Sequence, residues 1–218
     1  MRHAVKILMS EFVSHDTRRF ILDKPERFKV RPGQAALLAL PDKEEDLHPF
    51  TPTSLMDWGV LEFTIKEYRD HHGMTERLHQ MGPGDELLIK GTYGAIAYKG
   101  PGVFIAGGTG ITPFIAILRQ LHRDGKAAGN TLIFSNKTHA DILLERELNH
   151  YLGERCFLTL TRESRPGYDN RRVDAAYLKE KIANFDQEFY LCGPPAFVDA
   201  VAQTLKDAGA KPSNVVFD

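Results

Sequence analysis

The stretch Val103-Phe-Ile-Ala-Gly-Gly-Thr-Gly-Ile-Thr-Pro-Phe-Ile-Ala-Ile-Leu118 decides the fold of this chain. A short apolar run ends abruptly at Gly107, Gly108 and Gly110, and an apolar segment of helical character follows. This pattern predicts a buried strand, a glycine turn and the start of a helix. Glycines in such a turn let backbone N–H groups approach a phosphate, and the helix N-terminus adds partial positive charge. The stretch indicates either a phosphate-binding turn or a glycine turn that only reverses the chain.

The turn differs from the two best-known phosphate loops. No Lys-Ser or Lys-Thr pair follows the last glycine, so it is not a P-loop. The third glycine of the usual dinucleotide fingerprint is replaced by Pro113. The next predicted strand ends in Ser135-Asn136-Lys137, which offers no acidic side chain to a ribose. The function of the turn therefore has to be judged from other segments of the chain.

The composition excludes several classes of protein. The chain has 218 residues, 42% of them hydrophobic, which is enough for one or two domains with a sizeable core. A net charge of −1 gives no basic excess for binding nucleic acid. No apolar run approaches the roughly 20 residues that span a bilayer, and the first residues lack an apolar signal core. We expect a soluble, cytoplasmic protein.

The cysteines and histidines predict neither a disulfide framework nor a metal site. The 2 cysteines, Cys156 and Cys192, have no Cys-x-x-Cys partner and cannot supply four thiolates to an iron–sulfur cluster. The 9 histidines are scattered and show no His-Glu-x-x-His spacing. We therefore expect no bound metal.

The first half of the chain has the pattern of a small antiparallel barrel. Short alternating runs are separated by turn signals such as Pro32-Gly33 and Gly82-Pro-Gly-Asp85. One short helix is expected over residues 75–81, capped by Thr75. The runs that we predict as strands are residues 20–22, 34–40, 61–65, 86–89 and 95–98.

The pattern changes after Lys99-Gly-Pro-Gly102, where strands and helices begin to alternate. The predicted strands are residues 103–106, 131–135, 156–161, 188–192 and 214–217, and the predicted helices are residues 111–123, 140–152, 174–183 and 195–208. Such alternation predicts a parallel sheet covered by helices. The predicted fold therefore has two domains: an antiparallel β-barrel over residues 1–99 and an α/β parallel-sheet domain over residues 100–218.

Three further segments carry unusual residues. The strand at 188–192 stops in Cys192-Gly-Pro-Pro195, which either only breaks the strand or contacts a ligand, since ligands bind beyond the carboxyl ends of parallel strands. In His48-Pro-Phe-Thr-Pro-Thr-Ser54, two prolines hold the backbone extended. Its imidazole, aromatic ring and hydroxyls suit a flat polar ring with a phosphate tail, although a Pro/Thr-rich loop also explains them. Gly73 before a short helix is a second candidate phosphate cradle.

In their order along the chain, these motifs resemble those of the ferredoxin–NADP reductase family, in its short bacterial flavodoxin or ferredoxin reductase form. The family's flavin strip, Arg-x-Tyr-Ser/Thr followed by x-x-Ser, is matched by His48–Ser54. Its Gly-x-Ser/Thr pyrophosphate segment is matched by Gly73–Thr75, while Gly-Gly-x-Gly-Ile-Thr-Pro and Cys-Gly-Pro-Pro are intact. The resemblance covers essentially the whole chain. It implies a barrel that binds FAD, followed by a domain that binds NADPH or NADH.

The resemblance implies a role for each matched residue. Thr51 would hydrogen-bond flavin N5, Phe50 would pack on the isoalloxazine, and Cys192 would lie beside the nicotinamide. The residues that would hold FAD are His48, Pro49, Phe50, Thr51, Ser54, Ile65, Lys66, Glu67, Gly73, Met74 and Thr75. Those that would hold the pyridine nucleotide are Gly108, Thr109, Gly110, Thr112, Thr161, Arg162, Cys192, Gly193 and Pro194. The candidate catalytic residues are Thr51, Cys192 and Asp218.

Two departures from the family pattern bear on the chemistry. His48 stands where an arginine normally pairs with the flavin phosphate, and histidine is only partly charged at neutral pH. The family often ends in an acid followed by an aromatic that stacks on the flavin, whereas this sequence reaches Asp218 and stops. We expect Phe217 to pack as a core residue of the last strand and to leave the nicotinamide-side face of the flavin open.

The implied activity is hydride transfer from NAD(P)H to FAD, followed by release of single electrons to a separate carrier such as flavodoxin or ferredoxin. We expect a preference for NADPH, because Thr161-Arg162-Glu163 resembles the Ser-Arg-Glu of NADP-specific relatives and its guanidinium can bind a 2′-phosphate. An ordinary solvated arginine is the alternative at that position. A reductase of free flavin or quinone, and a flavin-binding redox sensor or subunit without turnover, remain alternative functions.

Overall fold

The computed structural model describes residues 2–68, 73–94, 96–211 and 215–217, which form two β-sheets. The strands of the first sheet are β1 (Arg2–Phe12), β2 (Thr17–Asp23), β3 (Ala35–Ala39), β4 (His48–Phe50), β5 (Val60–Lys66) and β6 (Glu86–Tyr93). They pair antiparallel in the order β4-β3-β6-β1-β2-β5. The strand β1, which the sequence patterns did not reveal, is central in this sheet.

The first sheet curls into a barrel because its two edge strands meet. A bridge joins Pro52, just after β4, to Phe63 of β5. The N–H of Thr53 donates to the carbonyl of Glu62 at 2.7 Å. Apolar side chains fill the interior, among them Phe20, Leu38 and Leu61, each at most 1% exposed. The predicted antiparallel barrel is confirmed.

A short helix, α1 (Met74–Gln80), packs on the barrel through the buried side chains of Met74 and Leu78. The predicted helix exists, but its predicted cap is wrong. Gly73 is the N-cap, and none of the described side chains forms a capping hydrogen bond at this end. The hydroxyl of Thr75 instead accepts a hydrogen bond from Tyr68 N–H at 3.3 Å, because Thr75 already lies inside the first turn.

The second sheet is parallel throughout and confirms the predicted α/β domain. Its strands are β7 (Gly102–Gly107), β8 (Thr131–Asn136), β9 (Cys156–Leu160), β10 (Glu188–Cys192) and β11 (Val215–Phe217), in the order β11-β10-β7-β8-β9. Helices α2 (Thr112–Arg123) and α3 (Glu145–Leu152) share one apolar cluster, and α4 (Ala175–Lys181) and α5 (Pro195–Asp207) share another. The helices therefore cover both faces of the sheet. None of the helices in the described ranges has both the length and the apolar character that a membrane span requires.

The order of the parallel strands reverses beside β7. From β7 the chain moves outward through β8 and β9, and it then returns to the other side of β7 for β10 and β11. Such a reversal leaves a crevice at the carboxyl ends of the two strands that flank it, and ligands bind there in open parallel sheets. The strand order therefore predicts a ligand site at the turns after β7 and β10.

Three predicted elements differ from the structure. Residues 96–98 form no strand, because Ile96 is fully buried in the core of the second domain and its N–H donates to Gly33 O at 3.0 Å. The helix predicted over 140–152 begins only at Glu145, since Leu144 has a left-handed backbone with φ of 53°. Residues 108–111 form a 3-10 turn that precedes α2.

Candidate functional site

The turns after β7 and β10 meet at the point where the strand order reverses. A Cβ placed on Gly110 would lie 2.4 Å from the carbonyl oxygen of Cys192. A Cβ on Gly107 would lie 2.9 Å from the ring of Phe197. Only glycine at these two positions lets the loops come together, and their close approach leaves backbone groups exposed to a ligand.

A cleft of about 550 Å³ opens beside these turns. From the second domain it is lined by Gly107, Gly108, Thr109 and Pro194 and by the ends of β8 and β9. From the barrel it is lined by Asp16, Thr17, Lys66 and Tyr68. Because both domains contribute walls, a molecule held by the glycine turn would also lie against β5 of the barrel. The volume falls in the range of small-molecule and cofactor sites.

Three cations line the part of the cleft beyond β8 and β9: Lys137, Arg162 and Arg172. All three are exposed, and none forms an ion pair with another described residue. Their charges are therefore available to an anion. Of these three cations, only Arg162 was predicted from a sequence motif; the signal for Lys137 was its position directly after a buried strand.

Backbone hydrogen bonds hold this cationic edge in place. The N–H of Thr161 donates to Asn136 O at 2.9 Å, and the N–H of Arg162 donates to Lys137 O at 2.8 Å. The hydroxyl of Thr161 also donates to Asn136 O at 3.2 Å, which leaves its oxygen lone pairs for a ligand. Asn136 itself is only 4% exposed and lines the cleft, and neither its Nδ2 nor its Oδ1 has a partner among the described residues. The edge therefore combines a backbone held by hydrogen bonds with an amide side chain, that of Asn136, whose polar atoms can bind a ligand.

On the barrel side, Lys66 forms an ion pair with Asp16 at 2.5 Å. Burial alone would raise the pKa of Asp16, but the hydrogen bond and charge of Lys66 outweigh it and hold that pKa below its usual value. His15 and Asp141 lie near Asp16, with ligand atoms within 4.8 Å of one another. Since Lys66 already neutralises Asp16, this trio is not proposed as a metal site.

The strip His48–Ser54 is divided between sheet and turn. Phe50 ends β4 and packs partly buried against the barrel core. The next residue, Thr51, is half-buried and lies outside any strand. The hydroxyl of Thr53 donates to Glu62 Oε1 at 2.7 Å, and the hydroxyl of Ser54 accepts Glu62 N–H at 3.1 Å. The Ser54 oxygen is therefore engaged within the barrel, whereas the Thr51 hydroxyl forms no hydrogen bond with another described residue.

Pro49 and His48 lie on the outer part of β4, which is an edge strand. Pro49 is exposed, and the imidazole of His48 has its Nε2 3.0 Å from Asp46 Oδ1. His48 therefore stands with an acid beside it where the resemblance expects a permanent cation.

The segments around β5 and α1 offer backbone rather than side chains. Ile65 and Met74 are buried in the barrel core, at 4% and 7% exposed. Glu67 N–H donates to Asp16 O at 2.8 Å. Gly73, at the start of α1, carries no side chain that would screen the N–H groups of the first turn. The side chains of Ile65 and Met74 thus shape the site only through the backbone that they anchor.

The remaining predicted residues lie around the two turns or outside the described part of the chain. Thr112 is the first residue of α2, and Gly193, with φ of 159°, separates Cys192 from Pro194. Cys192 ends β10 and is half-buried. The other cysteine, Cys156, is half-buried, and its partial burial raises the pKa of the thiol to about 12, so the thiolate is scarce at neutral pH. Asp218 and the side chain of Phe217 lie outside the described residues.

Comparisons with known protein families match both halves of the chain. Residues 4–98 match the model described as oxidoreductase FAD-binding domain. Residues 104–203 match the model described as oxidoreductase NAD-binding domain. The two matches follow the antiparallel and the parallel sheet, respectively.

Comparisons with individual proteins agree with these matches. The chain is 29% identical to an NADH-cytochrome b5 reductase 2 of Danio rerio, over 99% of this chain and 84% of that protein. It is 32% identical to an NADH-cytochrome b5 reductase 2 of Neurospora crassa, over 93% of this chain and 65% of that protein. Its fold is similar to that of a ferredoxin NADP+ reductase from Neisseria gonorrhoeae, with a TM-score of 0.88, 22% identity, and coverage of 100% and 98%.

Proposed function

Because this chain belongs to the ferredoxin reductase family of FAD- and NAD-binding oxidoreductases, we propose that it takes a hydride from NAD(P)H onto bound FAD and passes the electrons singly to a separate carrier protein. The flavin, when bound, supplies the conversion of a two-electron donor into one-electron steps. The contribution of the protein is to bind both molecules, to align their rings and to exclude water from between them.

One observation carries this proposal: the two turns at the strand-order reversal open onto a cleft whose other wall is the barrel. A nucleotide held by the turn after β7 extends towards the domain that matches an FAD-binding model. Gly107 and Gly110 bring the backbone of the two turns within reach of a bound phosphate. The residues fit a dinucleotide, since the cleft combines a glycine turn with an unpaired cationic edge.

We assign the roles on the flavin side to residues of the barrel. Thr51 donates its hydroxyl proton towards flavin N5, supported by its half-buried place directly after β4. The N–H groups of Gly73 to Thr75 bind the flavin pyrophosphate, supported by the side-chain-free start of α1. Lys66 and Glu67 line the flavin beside the cleft. His48 contacts the flavin phosphate, supported by its place at the start of β4, two residues before Phe50.

On the nucleotide side, we propose that Lys137, Arg162 and Arg172 bind the 2′-phosphate of NADPH. Support comes from their shared position at one edge of the cleft and from their unpaired charges. The relatives reported above carry NADH in their names, so the preference for NADPH rests on this chain's own cations. Cys192, at the end of β10, is proposed to contact the nicotinamide. Asp218 lies outside the described residues, and its proposed role in proton movement rests on the family resemblance alone.

We propose that the carrier which accepts the electrons is a small redox protein, with flavodoxin or ferredoxin as the leading candidate. The relatives that act on cytochrome b5 by name add a haem protein of that kind as a candidate. A reductase of free flavin or quinone is the alternative within enzymes, and a redox sensor or subunit without turnover is the alternative outside them. We propose a cytoplasmic location, supported by two cysteines that form no disulfide in the described structure.

The test is steady-state oxidation of NADPH and of NADH by the FAD-loaded protein with ferredoxin, flavodoxin, cytochrome b5, free flavin and a quinone as acceptors. We expect NADPH to bleach the FAD bound to the purified protein rapidly, and we expect the electrons to pass fastest to a protein acceptor. Turnover only with free flavin or quinone would select the alternative enzyme. A flavin that keeps its yellow colour in excess of both nucleotides would contradict an enzymatic function and favour the sensor.

A further inference from the structure

Arg119 of α2 lies buried between the two domains, although no sequence motif singles it out. Its side chain is 8% exposed. It belongs to the helix that starts directly after the glycine turn, about 10 Å along the axis from Thr112 at 1.5 Å per residue. A helix is a rigid element, so a contact made by Arg119 is transmitted to the turn at the start of α2.

The guanidinium of Arg119 reaches across to the barrel and holds the end of the flavin strip. Its Nη1 donates to the carbonyl oxygen of Thr53 at 2.8 Å and to Glu62 Oε1 at 2.6 Å. Glu62 in turn accepts a hydrogen bond from the hydroxyl of Thr53 at 2.7 Å. Thr53 lies two residues after Thr51 and is fully buried. The buried ion pair of Arg119 and Glu62 thus holds both the carbonyl and the hydroxyl of Thr53, just after Thr51.

The other side of the same guanidinium binds the second domain. Nε and Nη2 donate to the two carboxylate oxygens of Glu147 on α3, at 2.5 and 3.0 Å. Tyr151 donates its hydroxyl proton to Glu147 at 2.9 Å, and the Trp58 ring lies 5.2 Å from the guanidinium carbon. One planar fork therefore joins α2, α3 and the flavin strip.

The charge of Arg119 is stable in this buried place. Burial alone would lower the pKa of Arg119, but the hydrogen bonds and charges of Glu147 and Glu62 outweigh it and raise that pKa above its ordinary value. The same contact with Arg119 outweighs the burial of Glu147 and lowers the pKa of that carboxyl. Removing one member of such a group leaves buried charge without a partner, whereas an exposed pair contributes little.

We propose that Arg119 is a positioning residue, which sets the flavin strip against the nucleotide-binding domain and so controls how fast hydride passes between the two rings. The inference rests on the proposed function, because it gives the strip the task of holding the flavin. Arg119 itself is not among the residues that line the cleft. Its substitution should therefore change the alignment of the rings more than the affinity for the nucleotide.

Lysine is the informative replacement, because it keeps the charge and loses the planar fork. An ammonium group cannot donate along fixed directions to Glu147, Glu62 and Thr53 at once. Arg123→Lys is the matched control. Arg123 lies one turn further along α2 and also crosses to the barrel, where it pairs with Asp57 at 2.6 Å, but it does so in an exposed position.

The experiment compares FAD-loaded wild type, Arg119→Lys and Arg123→Lys by four measurements. These are FAD content, melting temperature, the dissociation constant of NADP+ without turnover, and the limiting rate of flavin reduction by NADPH in stopped flow. The visible circular dichroism of the bound flavin adds a readout of its surroundings that needs no activity. Glu147→Gln, which removes the charge and keeps the acceptor, serves as a milder second variant should Arg119→Lys fold poorly.

We expect the limiting rate to fall about tenfold in Arg119→Lys and less in Glu147→Gln, since misplacing reacting groups by about an ångström costs up to a hundredfold. The dissociation constant of NADP+ should stay within about twofold, the visible dichroism should change, and Arg123→Lys should behave as wild type. Unchanged limiting rate and dichroism in a fully FAD-loaded Arg119→Lys would overturn the inference and leave the proposed function intact. A wild-type flavin that neither nucleotide reduces would instead refute the proposed function, whatever the variants do.

Discussion

Replacing Gly110 by alanine tests whether the two turns form the nucleotide site. The new Cβ would lie 2.4 Å from the carbonyl oxygen of Cys192 and 2.6 Å from Cα of Gly193. Both are backbone atoms, so the contact is relieved only when one turn moves away from the other. Overpacking of this kind costs about 1–3 kcal/mol. At roughly 2–4 °C per kcal/mol for a chain of this size, the melting temperature should fall by about 2–12 °C.

The separation of the turns should also weaken nucleotide binding, because both contribute to one crevice. Differential scanning fluorimetry and titration of the oxidised, FAD-loaded protein with NADP+ measure the two effects. Gly59→Ala is the control, since a Cβ there meets nothing within 4 Å and its φ is not left-handed. If Gly110→Ala melted and bound NADP+ as Gly59→Ala does, the reasoning that close contact of the turns builds the site would be wrong.

Three other predictions use the same protein. Thr51→Val keeps the shape and removes the hydroxyl, so it should slow flavin reduction in stopped flow about tenfold at normal FAD content; an unchanged rate would assign Thr51 a structural role only. Arg162→Ala should lower the NADPH/NADH ratio of kcat/KM about tenfold. The control is Arg165→Ala, which should leave the ratio unchanged because Arg165 lies in the same loop but pairs with Glu163 at 3.8 Å. An unchanged ratio in Arg162→Ala would remove Arg162 from the 2′-phosphate site. Burial lowers the pKa of His79, whose Nε2 lies 2.9 Å from Ile65 O. As the pH falls through about 6.5, the unfolded chain therefore takes up a proton at His79 that the folded chain binds less readily. The part of the stability that depends on neutral His79 should be fully present above that pH and should be lost as the pH drops towards the lower folded pKa. Melting temperatures measured from about pH 7.5 to about pH 5.5 check this. An equal slope of melting temperature against pH in His79→Gln would exclude His79 as the cause.

Local patterns along the chain determined the two-domain fold and the positions of the two turns. Each strand and helix of the second domain carries its own periodicity, and each turn carries its own glycines and prolines, so neighbours in sequence suffice to predict them. The prediction of a helix over 140–152 was wrong at its start because Leu144 takes a left-handed backbone that no local signal marks. The strand predicted at 95–98 was wrong for Ile96 to Tyr98, because their alternation reflects packing against the core of the second domain and not strand pairing.

Contacts between distant segments were decided only by the tertiary structure. The barrel closes through Pro52 and Phe63, and the cationic edge forms because Lys137 and Arg162 follow strands that are neighbours in the sheet. The partners of Arg119 come from β5, the strip and α3, which are 28 to 66 residues away along the chain. Periodicity reports which face of an element is buried, but not which element covers it. Strand order and register supply that information, and they depend on the packing of the whole molecule.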